Sequence, residues 1–320
     1  MGTSFRRILK KNHGQLARHF RRKRSIPLLY HVTYSSDALR VKGYLCLPDG
    51  CFLPAFSPLE NTHSSPAFQG FTVTQESMQM QQLASRYPPV EQHTMDGNDA
   101  RWPVLIYCRG GLGNYGGVNT AWLEQFVHKG YIVFAPSYRG NEGGEGRDEY
   151  GGRDVEDVHA AYRLVQEWPF ADTKRISMMG FSRGAINAVH TATTYNEGPQ
   201  QVHKLVLWSG VADVERTYHE RTDLRRTLKR VLGGSPRSVP EAYLARSPLS
   251  KAHKLHCPVL IMHGTSDTQV NYSHGTRMYH WLKRRGANVT FHAYGGQDHR
   301  FQERMHEAAV NNMFDWLAAP

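Results

Sequence analysis

From residue 103 onward, short β-rich runs and helical patterns alternate six times, and this alternation constrains the fold more than any other feature of the chain. "PVLIYC" (103–108) precedes the helical "TAWLEQFVHKG". "YIVFAPSY" (131–138) precedes a glycine-rich loop and a helix on which Val155, Val158, Tyr162 and Val165 recur three or four residues apart. "RISMMG" leads into a helix from Arg183, and "HKLVLWSG" into a variable helical region. "CPVLIMHG" leads into a helix with Met278 and Leu282, and "NVTFHAY" into a last helix through Met305, Ala309, Met313 and Trp316. Continuously apolar strands suit a sheet covered on both faces, and strand–helix–strand connections make neighbouring strands parallel. The expected fold is α/β: a mainly parallel twisted sheet with helices on both faces and its chemistry at the carboxyl ends of the strands.

Before this unit, "PLLYHVTY" and "RVKGYLCLP" flank the turn-prone "SSDAL" and read as an antiparallel hairpin. Residues 50–101 shift to Ser, Gln, Pro, Thr and Met without a sustained period. They are expected to form an insertion or lid of little regular structure, with one helix around 76–85. Residues 211–254, rich in Arg and Tyr, break the alternation and are expected to cap one side of a site. The domain reading is a basic arm over 1–27 and one catalytic domain over 28–320.

The formal charge of +11 suggests nucleic-acid binding until it is located. Residues 1–24 carry nine cations, from Arg6 to Arg24, and no acid, so the remainder of the chain is close to neutral and no nucleic-acid partner is expected. Phe5, Ile8, Leu9, Leu16 and Phe20 interleave with those cations, as in an arm that contacts an anionic surface; a solvated terminal arm is the plainer reading. No apolar run reaches the 18 residues of a membrane span, and there is no secretory h-region. Cys46, Cys51, Cys108 and Cys257 lie in or beside apolar runs without a C-x-x-C pattern, so buried free thiols and a cytoplasmic location are expected. Association into a homo-oligomer stays open.

"RGGLGNYGG" (109–117) ends the first strand of the alternating unit with G-x-G-x-x-G, which admits two uses. A dinucleotide site also needs an acid about 20 residues on, at the end of the next strand. "YIVFAPSY" ends without one, and Glu142 and Glu145 lie beyond it in a loop. The alternative is an oxyanion site for a carbonyl attacked by a nucleophile elsewhere. "GFSRG" (180–184) lies between a strand and a helix, where a nucleophile elbow needs small residues two before and two after the serine.

Such a serine requires an acid and then a histidine on later strand-end loops. "CPVLIMHGTSD" supplies Asp267 and "NVTFHAYGGQDHRF" supplies His299. His299 would take the proton of Ser182 and return it to the leaving group, while Asp267 fixes the imidazole tautomer. The N–H of Arg183 and one from Gly110 or Gly111 would hold the oxyanion. Asp298 competes with Asp267, and His263, His274 and His292 compete with His299. The Arg183 side chain reads as a solvated cation or a contact for an acidic substrate group.

These residues, with "VTYSSDALRVKGYLCLP", "GYIVFAPSYRGNEGGEGRDEYGGRDVEDV", "YLARSPL", "PVLIMHGTSDTQV" and "GGQDHRF", resemble the catalytic domain of the prolyl oligopeptidase family within the α/β-hydrolase fold. The resemblance implies a Ser–Asp–His hydrolase for small peptides, amides or esters, with no metal or organic cofactor. Only 29 residues precede the hairpin, too few for the β-propeller of many members, and Arg109 stands where several members carry an oxyanion tyrosine. A broad carboxylesterase, or a hydrolase fold serving as a partner-binding protein, are the alternative functions.

Overall fold

The computed structural model describes residues 28–48, 51, 72–74 and 101–320. The basic arm, nearly all of the 50–101 segment and its expected helix lie outside the described residues.

Nine strands form one sheet among the described residues, in the order β3-β1-β2-β5-β4-β6-β7-β8-β9. Strands β1 (Leu28–Ser36) and β2 (Leu39–Leu47) make the expected hairpin, with Asp37 at φ +52° in its turn. The short β3 (Thr72–Thr74) pairs with β1, so the segment read as irregular contributes an edge strand to the sheet. Its three residues are too short for a period to register.

Strands β4 (Trp102–Cys108), β5 (Ile132–Pro136), β6 (Ala171–Phe181), β7 (Leu205–Trp208), β8 (Val259–Gly264) and β9 (Val289–Tyr294) are parallel. From β4 the chain winds to β5 on one side and then crosses back to β6 on the other. This reversal opens a crevice beyond the carboxyl ends of β4 and β6, where a ligand site is expected in such a sheet.

Alternation along each strand builds two cores. Val104, Ile106, Ile132, Phe134, Met178, Leu207 and Ile261 face helices α2 (Val155–Gln166), α3 (Gly184–Thr194) and α8 (Ser273–Arg284). Leu105, Tyr107, Val133, Met179, Trp208 and Met262 face α1 (Thr120–Val127) and α9 (Glu303–Ala318). Each fully buried aliphatic or aromatic side chain contributes about 1.5–3 kcal/mol, so burial on both faces fixes the strand register. The connection after β7 builds a third, smaller core from α4 (Val214–Glu220), α5 (Arg225–Leu232) and α6 (Pro240–Arg246), followed by the short α7 (Pro248–Lys251). No helix among the described residues is long and apolar enough to cross a membrane.

The hairpin is tied to the parallel unit by a buried carboxylate. Asp157 on α2 accepts from Ser36 Oγ (2.6 Å), from the Arg139 N–H (2.6 Å) and from the Arg139 guanidinium (2.7 Å). All four cysteines are free and buried, and burial pushes the thiols of Cys51, Cys108 and Cys257 up to about 12.

On the second face, His306 is buried against Trp122 and Trp208, with ring centroids 4.9 and 5.3 Å away. Burial pulls its pKa down to about 4, against about 6.5 in an unfolded chain. Between those values the unfolded chain binds more protons, so this residue makes stability fall as the pH drops from about 6.5 to about 4. The stability of wild type relative to His306→Phe is expected to decline by about 2 kcal/mol over that interval, read by urea unfolding at a series of pH values.

Candidate active site

Between β6 and α3 the backbone turns so sharply that Ser182 takes φ +56°. The turn is possible because of its flanking glycines. A Cβ at Gly184 would collide with the Cys108 carbonyl at the end of β4, and one at Gly180 would lie 2.5 Å from the Ala185 Cα. The backbone of Ser182 is clamped as well: its N–H donates to the Trp208 carbonyl (3.0 Å), and its carbonyl accepts from Val211 (3.0 Å) and Ala185 (3.2 Å). Strain at a non-glycine residue persists only where its surroundings over-determine it.

His299, on the loop after β9, is 3% exposed, and its Nδ1 lies 2.9 Å from Asp267 Oδ2 and 3.1 Å from Oδ1. Asp267, on the loop after β8, also accepts from the N–H groups of Gln269 (2.9 Å) and Val270 (2.8 Å). Burial pulls its pKa upward, but hydrogen bonds from His263 and His299 and from the Val270 N–H outweigh that and hold the carboxyl far below the usual range. Asp298 has a different task. It accepts from Thr268 N–H, Thr268 Oγ1 and the His299 N–H, pinning the histidine loop to the acid loop.

The competing histidines are also accounted for. His263 is fully buried, with Nε2 2.9 Å from the Val270 carbonyl and 3.3 Å from Asp267 Oδ2, so it supports the acid from behind. His274 accepts from the Ala212 N–H (3.1 Å) and meets Glu220. His292 lies on β9, away from the cavity wall.

Ser182 and His299 both line a cavity of about 850 Å³, and the His299 ring packs on Phe181, next to the serine, at 4.9 Å. No hydrogen bond joins Ser182 Oγ to His299 among the described residues. Such pairs commonly stand apart until substrate arrives. The other side of the cavity is lined by Val211, Thr217 and Leu228 of the 211–254 segment.

The glycine loop lies directly against the serine, since a Cβ on Gly110 would come within 2.9 Å of Ser182 Cβ. The backbone N–H groups of Gly110, Gly111 and Arg183 make no hydrogen bond among the described residues. The loop carbonyls, by contrast, are tethered: Gly110 O to Arg109 Nη1 (3.0 Å) and Gly111 O to Arg183 Nε (2.8 Å). In a trans peptide the N–H opposes the C=O, so holding the Gly110 carbonyl also fixes the direction of the Gly111 N–H.

Arg183 departs from the sequence expectation. Its side chain is 1% exposed and reaches inward, not into solvent or toward a substrate. It is bidentate to Asp148 (2.9 and 2.8 Å), bonds Asp154 (3.0 Å) and lies over the rings of Tyr138 and Tyr150. Asp154 also accepts from Asn187 and from the N–H groups of Gly151 and Gly152. Burial raises the Asp154 pKa, and Arg183 with these donors reverses the effect, leaving it below its ordinary value. Asp148, Asp154 and Asn187 were missed in the sequence; the signal for the two aspartates was the repeated "GRD" at 146–148 and 152–154, which looks like a solvated loop.

No group of three or more His, Cys, Asp or Glu among the described residues is arranged to hold a metal ion. A model of the prolyl oligopeptidase family matches residues 118–319. The chain belongs to that family. Like its members it is a serine hydrolase, on an α/β-hydrolase scaffold. It is 39% identical over 213 residues to the uncharacterized peptidase YtmA of Bacillus subtilis, covering 67% of this chain and 82% of YtmA. It is 27% identical to the acylamino-acid-releasing enzyme of Mus musculus over 67% of this chain, but this spans only 31% of that enzyme. The fold matches the acylaminoacyl peptidase of Pyrococcus horikoshii with a TM-score of 0.66 at 17% identity, over 98% of this chain and 43% of that one. The chain thus spans less than half the length of the larger relatives.

Removing the Arg183 guanidinium would leave buried Asp154 without a counter-ion among the described residues and Asp148 with only Arg109 at 3.5 Å, and breaking a buried pair typically costs about 3–5 kcal/mol. Arg183→Met is expected to lose stability on that scale in urea unfolding, and Arg183→Lys to recover only part, because one ammonium cannot reproduce the fork.

Proposed function

We propose that Ser182, His299 and Asp267 form the catalytic triad of a hydrolase that cleaves small peptides, amides or esters through an acyl-enzyme. The observation that carries this reading is the buried Asp267–His299 pair, whose imidazole packs against Phe181 at the rim of the cavity that Ser182 also lines. With Nδ1 engaged by Asp267, Nε2 is left to accept the Ser182 proton as Oγ attacks the carbonyl carbon. The new C–O bond places negative charge on the carbonyl oxygen. The unengaged N–H groups of Arg183 and of Gly110 or Gly111 are the donors assigned to that charge. Collapse expels the amine or alkoxide, which takes the proton from the imidazolium; water then repeats the sequence on the ester of Ser182.

The relatives named as acylamino-acid-releasing enzymes favour short peptide substrates for this chain, and esters follow from the same chemistry. The four unpaired buried thiols support a cytoplasmic setting. We extend the proposal to contact between the basic arm and an anionic surface.

A fluorophosphonate probe is expected to label the wild type and not Ser182→Ala, and hydrolysis of a p-nitrophenyl ester is expected to vanish with the label. Asp267→Asn is expected to lower kcat about 10⁴-fold. A folded wild-type protein that neither labels nor turns over the ester would overturn the reading.

A further inference from the structure

The near-neutral charge of residues 25–320 conceals a local imbalance. Residues 221–237 hold six cations and a single acid, Asp223. This stretch includes α5, whose Leu228 and Leu232 are buried in the third core while Arg226, Lys229 and Arg230 stay exposed. Asp223 is taken up by Arg221, in a two-point pair at 2.9 and 2.7 Å.

Two cations on the cavity wall remain unmatched. Arg230 stands on the cap side, and Arg300 directly follows His299 on the opposite loop. Both are exposed, and neither has an ion-pair partner among the described residues. Arg300 lies close enough to Tyr107, at the glycine-loop end of the cavity, for its charge to act on that phenol. Asp223 is the one carboxylate among the described residues of the wall, and no glutamate lines it. Asp298, beside Arg300, is engaged by Thr268 and the His299 N–H.

We infer that this pocket selects substrates that carry a carboxylate within reach of the scissile bond, an inference that rests on the hydrolase reading above. A cleft lined by one sign of charge concentrates ligands of the other sign, and a guanidinium fork matches a carboxylate at two points. A free ammonium at the same place meets only repulsion. The carboxylate is an acidic side chain or a free peptide C-terminus; both present the same group to Arg230 or Arg300.

The test compares kcat/KM on N-acetyl-Ala-Xaa amides with Xaa as Glu, Gln or Lys, on N-acetyl-Ala-Gln with a free C-terminus, and on the reversed N-acetyl-Xaa-Ala amides. A carboxylate in at least one arm is expected to raise kcat/KM about tenfold over its neutral match, with Lys below both. The responding arm identifies the source of the group. The advantage is expected to shrink between about 20 and about 500 mM NaCl. It is also expected to disappear in the R230Q/R300Q double variant, with each single variant carrying part of the loss and folding checked by circular dichroism. Equal rates for Glu, Gln and Lys in both series together with no advantage of the free C-terminus over its amide, or a preference intact in the double variant, would overturn the inference while ester turnover and Ser182 labelling upheld the hydrolase reading. Failure of both labelling and ester turnover would remove that reading, and the inference with it.

Discussion

At the carboxyl end of β4, the backbone of Gly184 lies so close to the Cys108 carbonyl that no side chain fits between them. This contact sets where α3 begins, and hence how abruptly the chain must turn out of β6. The turn puts Ser182 in the left-handed region, with its hydroxyl at the wall of the crevice opened by the reversal of strand order. Position 110 is held to glycine by the same crowding, because Ser182 occupies the space its side chain would take. One steric constraint therefore locates Ser182 and brings the glycine loop to it.

Electrostatics then holds what sterics has placed. Arg183 connects the loop before α2, through Asp148 and Asp154, with the glycine loop, through the Gly111 carbonyl. Arg109 ties the same loop to the carbonyl of Ser137, after β5. Buried guanidinium groups demand full hydrogen bonding, and here their partners belong to separate connections of the sheet. Loops that would otherwise move separately are joined around the serine. On the far side, Asp267 is fixed by two backbone donors and two imidazoles, so His299 meets an acceptor with no freedom to turn away.

The legible parts of the chain were those written in local pattern. The continuously apolar runs of β4, β5, β7 and β8 and the spacing of Val155, Val158, Tyr162 and Val165 on α2 reflect burial that a linear sequence records directly. The proposal for Ser182, Asp267 and His299 can be reached from the sequence because each sits at the end of an apolar run. Arg183 was misread because burial of a cation depends on partners 35 and 29 residues away, which no local pattern reports. β3 was missed for a related reason: its partner strand lies about 40 residues earlier in the chain, and its pairing is a tertiary contact. The cationic wall of the cavity was averaged away by counting charge along the chain instead of around a hole.

The buried cysteines have a practical bearing on how this molecule can be watched. With every thiol sealed in the core and its ionisation pushed upward, the folded chain offers no thiolate to electrophiles at neutral pH. Alkylation can then proceed only when a core layer parts, and Cys108, which belongs to the sheet beside the glycine loop, reports the parting of the layer that carries Ser182. The rate at which a maleimide is consumed becomes a clock for opening of the fold, read without any engineered label.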